Sequence, residues 1–181
     1  MSELTEMVEL ESGHTFRLRS VHDLFRKLHR ELRRFEAAGD NRGDLIDAAI
    51  NFSWTAWHLV EWLWLQREAR YREEGFDSLG AFRKYVIGRC PHLAVFEVIA
   101  NAAKHGGTAE SRSDRPDVTT ILVAGPMERR GSSEDIVIAM MERTWTLAVR
   151  YGGKTHKAGV MFRQAYLELH RLVSHTSFGV I

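Results

Sequence analysis

The chain has 181 residues, enough for one substantial core and too few for two of ordinary size. Hydrophobic residues make up 44% and charged residues 27%, which excludes wholesale disorder, and a formal net charge of +1 excludes a global field that would draw the molecule onto nucleic acid or membrane. The single cysteine, Cys90, excludes an intrachain disulfide framework and a four-cysteine zinc site, and it fits a reducing, cytoplasmic setting.

Residues 1–19 alternate weakly at Val8, Leu10, Phe16 and Leu18 and carry four glutamates, so they read as a loosely structured segment and not as a secretory signal. Ser20, with Asp23 three residues on, has the pattern of a helix capping box. Val21, Leu24, Phe25, Leu28, Leu32 and Phe35 then recur on one helical face, opposite Arg26, Lys27, Arg30, Arg33 and Arg34. That basic face reads as a solvated surface or as a phosphate-binding one. After a turn at Asn41-Arg42-Gly43, a second helix is expected over about 44–69. It has the length of a membrane span, but Asp47, Asn51, His58 and Glu61 interrupt it. The expectation is therefore a buried core helix holding four of the five tryptophans, and no membrane partner. Asp77 or Ser78 caps a short third helix stopped by Gly88, and Pro91 suits the first turn of a fourth, over 91–105, terminated by Gly106-Gly107.

A polar loop over 106–117 follows, and then the period changes. Val118–Ala124, Asp135–Met141 and Thr144–Tyr151 read as the three strands of an antiparallel meander. Gly152-Gly153 ends the last strand, and Thr155 caps a closing helix over 157–174. Gly152-Gly153-Lys154-Thr155 lacks the upstream glycine spacing of a phosphate loop. This order of elements predicts an α+β, mainly α chain: a four-helix bundle over 20–105, a small sheet over 118–151 and a closing helix, in one domain over 1–181.

The polar residues of the two most apolar helices are not scattered. Asp47, Asn51, Thr55, His58 and Glu61 follow helical steps of four, four, three and three; Glu97, Asn101, Lys104 and His105 do the same on the fourth helix. Buried polar groups need partners, so the two stripes are expected to face one another and to gather His58, Glu61, Glu97, Asn101 and His105 in one cleft. Three readings fit such a cleft. It is metal-independent acid–base work on a phosphodiester, with His105 or His58 carrying the proton and Asn101 or Lys104 stabilising charge. It is a metal site held by His58, Glu61, Glu97 and His105. Or it is a hydrogen-bond network that fixes helix packing in a non-catalytic binding or regulatory module. No cofactor is indicated, and Cys90 reads as structural.

The segments Trp57-His58-Leu59-Val60-Glu61-Trp62 and Asn101-Ala102-Ala103-Lys104-His105 resemble those of small prokaryotic proteins that carry a WHLxxW helix and an NxxKH helix before a short sheet and a closing helix. The helical part of these is similar to HEPN domains, bundles found in toxin–antitoxin and anti-phage systems as ribonucleases. The resemblance implies a stress- or defence-associated protein that cleaves or binds RNA, a homodimer, and a cognate regulatory protein as a further partner. HEPN ribonucleases use an arginine, four to six residues and a histidine on the last helix. Asn101 and His105 depart from that pattern. Arg163 and His170, with Gln164 beside the arginine, meet it as a second candidate pair, and Arg17/His22 and Arg150/His156 meet the spacing alone.

Overall fold

A computed structural model describes residues 18–104, 118–126 and 143–175. His105, Arg17, the polar loop 106–117 and the expected strand Asp135–Met141 lie outside the described residues. Helix α1 runs Val21–Ala37, α2 Arg42–Glu73, α3 Leu79–Arg89 and α4 His92–Lys104; strands β1 Thr119–Pro126, β2 Arg143–Tyr151 and β3 Lys154–Lys157 follow, then helix α5 Ala158–His175. The chain is thus α+β in the expected order: helices, a three-stranded antiparallel sheet, a closing helix.

Local chemistry accounts for the boundaries. At the start of α1 the Ser20 hydroxyl accepts from the Asp23 N–H and the Asp23 carboxylate accepts from the Ser20 N–H, a complete capping box. The first-turn N–H of Val21 donates to Gln66 of α2, so the helix start is also tied to its neighbour. Asn41 caps α2, which begins earlier and ends later than its apolar run suggests, and Ser78 caps α3, which continues one residue beyond Gly88. The α2 backbone leaves helical geometry at Arg67 (φ −141°, ψ 27°), and the turns beyond it lay Tyr71 on Phe82 of α3 with ring centroids 4.3 Å apart.

The sheet has the order β1-β2-β3. Gly152-Gly153 does not end it. The pair forms the two-residue turn that joins β2 to β3, with Tyr151 opposite Lys154. Both glycines have positive φ (55° and 71°), which the right-handed strand twist favours in so short a turn and which residues with a Cβ resist. The segment read as a cap for the closing helix is therefore a strand. Leu147 and Val149 of β2 are buried and join the helical core, so sheet and bundle share one apolar interior. Its centre is Phe162 of α5, which meets Phe35 of α1, Phe52 of α2 and Phe96 of α4 at centroid distances of 4.8, 4.4 and 5.6 Å. One ring thus ties four helices together. Among the described residues no helix is long and apolar enough to cross a membrane.

Candidate functional site

Among the described residues the two polar stripes do not gather in one cleft as expected. Where α2 faces α4, both helices are apolar: Phe52 touches Phe96 edge-on, and Ile46, Ala49 and Ile50 share a cavity of about 380 Å³ with Val98, Ile99, Ala102 and Ala103. The stripe of α2 looks towards α1, α3 and solvent. Asp47 and Asn51 are exposed, and the Thr55 hydroxyl accepts from Lys27 of α1 at 2.8 Å. Lys27 and Arg34 together neutralise Glu31, whose carboxylate is only 2% exposed.

Further along α2, His58 Nδ1 lies 3.4 Å from Glu61, and Glu61 is 3.6 Å from Arg83 of α3, whose guanidinium sits over the Trp57 ring. His58 and Glu61 are about one-third exposed, so this network is superficial and not buried. Trp54, tilted 58° against the His58 ring with centroids 4.4 Å apart, is 43% exposed, so α2 is not covered on every side. The reason is geometric. A helix with apolar residues around most of its circumference buries only the arc its neighbours reach, and the polar stripe sits on the remainder. Glu97 and Asn101 are half-buried on α4. Among the described residues no three His, Cys, Asp or Glu side chains gather as metal ligands, so His58, Glu61 and Glu97 do not form the start of the expected four-ligand set.

The second candidate pair stands differently. Arg163 and His170 are seven residues apart on α5, close to two full turns, which places them on one face with a rise of about 10 Å between them. Both are exposed. Arg163 Nε donates to Glu36 of α1 at 2.8 Å. The His170 ring packs against Phe25 and Tyr166, and the Tyr166 hydroxyl lies 3.1 Å from His29 Nδ1 on α1. Burial pushes the Tyr166 phenol above its ordinary range, so the hydroxyl stays protonated at neutral pH. Arg26, Arg30 and Arg33 are exposed on α1 beside His29, and Arg30 has no ion pair among the described residues. The face between α1 and α5 thus carries histidine, arginine and phenol within reach of solvent.

The remaining Arg–His spacing fails on geometry. His156 of β3 is opposite Val149 of β2, so Arg150, the next residue along β2, points to the other face of the hairpin.

One cluster escaped sequence reasoning. His92, at the start of α4, has Nδ1 2.8 Å from the Tyr151 hydroxyl and Nε2 2.8 Å from Gln164, while His156 stacks on Tyr151 at 4.4 Å. These residues are 59 and 72 positions from His92 in sequence, so no local spacing signals them. Both nitrogens of His92 are engaged, which suits a clamp between α4, the sheet and α5.

The chain matches no protein-family model, no curated protein and no solved structure.

Proposed function

We propose that the chain is a HEPN-like prokaryotic stress- or defence-associated protein that acts on RNA in the cytoplasm, and that it does so at the α1/α5 face as a metal-independent ribonuclease. The observation that carries this reading is the position of Arg163 and His170. Of the Arg–His spacings whose two members are described, theirs alone presents both side chains on one exposed face. Arg163 would hold a phosphodiester oxygen and His170 would move a proton. The Arg163–Glu36 pair is no obstacle: exposed ion pairs contribute roughly 0–1 kcal/mol, so a phosphate can replace the carboxylate at small cost. The resemblance also implies a homodimer, and Val160 and Leu167, 49% and 55% exposed on the same helix, supply apolar surface for it.

The test is cleavage of a mixed RNA pool in EDTA by the wild type, Arg163→Ala, His170→Ala and His58→Ala. The reading expects cleavage that is lost in the first two variants and kept in the third. Loss in His58→Ala alone would move the site to α2. A non-catalytic RNA-binding module is the second reading, favoured by the salt bridge that already holds Arg163; RNA that is retained but uncut by the wild type would establish it.

A further inference from the structure

The α1/α5 face holds a second imidazole that the Arg–His spacing does not include. His29 reaches Tyr166 through Nδ1, and Tyr166 stacks on Phe25 with centroids 5.0 Å apart and planes 19° apart. The same Phe25 supports His170 at 5.5 Å. The two histidines therefore flank one aromatic floor contributed by both helices. A phenol hydroxyl can donate to Nδ1 or accept from it, so Tyr166 holds the His29 ring in either protonation state. Among the described residues no hydrogen bond occupies His29 Nε2, and His170 engages Ser174 through Nε2, leaving its Nδ1 open. Both rings are exposed.

We infer that His29 is a second proton carrier of this face, working with His170 on a single-stranded RNA phosphodiester, with Tyr166 as its positioning residue. This rests on the RNA reading above. In the step, one imidazole takes the proton of a ribose 2′-hydroxyl as its oxygen bonds to the adjacent phosphorus. The bond from phosphorus to the 5′-oxygen breaks, and the other imidazolium gives that oxygen its proton. The products are a 2′,3′-cyclic phosphate and a 5′-hydroxyl; nothing is oxidised or reduced. Separate base and acid are what this displacement needs, since the entering and leaving oxygens lie on opposite sides of phosphorus. Arg26, Arg30 and Arg33 continue the surface along α1 and suit the neighbouring phosphates.

The experiment is single-turnover cleavage of a labelled single-stranded RNA in EDTA by the wild type, His29→Ala, His170→Ala and His22→Ala, with and without added imidazole. His29 is exposed, so its variant should keep the wild-type melting temperature. General acid–base groups contribute about 10²–10⁴-fold, so His29→Ala should lose at least about 100-fold and recover in part with imidazole, while His22→Ala is unchanged. If His170→Ala is dead and His29→Ala cleaves like the wild type, the RNA reading stands and this inference falls. Loss without imidazole rescue would also overturn it, because the ring would then serve placement and not proton transfer. If the wild type cleaves nothing, the ribonuclease reading fails and takes this one with it.

Discussion

Single residues carry two firm expectations about stability and reactivity. Cys90 is 2% exposed, and burial pushes its thiol up to about 11. A thiol raised in this way is protonated at neutral pH and shielded, so it should resist thiol reagents in the native state and react only on unfolding. Rapid labelling of the folded protein at pH 8 would contradict this. Linkage gives the sign with pH. The folded state keeps a proton that the unfolded chain releases near its ordinary value, so stability should fall between about pH 9 and 11, by up to about 2–3 kcal/mol. Cys90→Ala should show a smaller fall in that window. Glu31 is the second case. Its buried carboxylate accepts from Lys27 and Arg34, and Lys27 also reaches Thr55, so Glu31→Ala leaves a cation short of its partner. Urea denaturation should show a loss of about 2–3 kcal/mol; a change below about 0.5 kcal/mol would mean that the network is slack. Sequence periodicity put Thr55 on a polar stripe, but not the direction that stripe faces, because spacing along one helix says nothing about which neighbour packs against it.

At the scale of elements, capping chemistry was legible because it is local. Ser20 and Asp23 are three residues apart and make the box their order implies. Ser20→Ala should cost about 1 kcal/mol. The Asp23 carboxyl is held below the ordinary carboxylate range first by the Ser20 hydroxyl and then by the Arg19 N–H, so its contribution is present near neutral pH and is lost as the pH falls through that range. Asp23→Asn should therefore flatten the acid limb of the stability curve; an unchanged limb would show the box to be idle. The β2–β3 hairpin was only half legible. Gly-Gly was seen as a terminator, yet the four-residue strand behind it, Lys154–Lys157, is too short and polar to announce itself. Its turn makes a sharp expectation: Gly152→Asn, a residue that tolerates positive φ, should be nearly neutral, whereas Gly152→Val should destabilise by about 1–2 kcal/mol. Equal melting temperatures for the two would contradict the assigned turn.

For the whole molecule, the order of helices, sheet and closing helix followed from hydrophobic period and turn residues, and Phe162 explains why that order closes on itself. The site was less legible. Two apolar helices with polar stripes suggested a shared cleft, but the apolar surfaces of α2 and α4 face one another, and the polar arc of α2 is left for α1, α3 and solvent. The α1/α5 face was visible only through Arg163 and His170 and the basic residues of α1. Its aromatic floor joins Phe25 of α1 to Tyr166 of α5, and His29 lies 137 residues from Tyr166, a distance that no spacing rule spans. The association state belongs to this scale as well. If α5 forms a homodimer, Leu167→Glu should convert it to a monomer in light scattering with little change in thermal stability; an unaltered mass would take α5 out of the interface.

The central claim is that RNA is engaged between α1 and α5. The most direct measurement is ultraviolet crosslinking of a single-stranded RNA to the intact protein, with the attached residues read by mass spectrometry. Crosslinks at Phe25, His29 or Tyr166 are the result this account requires. Crosslinks confined to Trp54 and His58 on α2, or none at all, would contradict it.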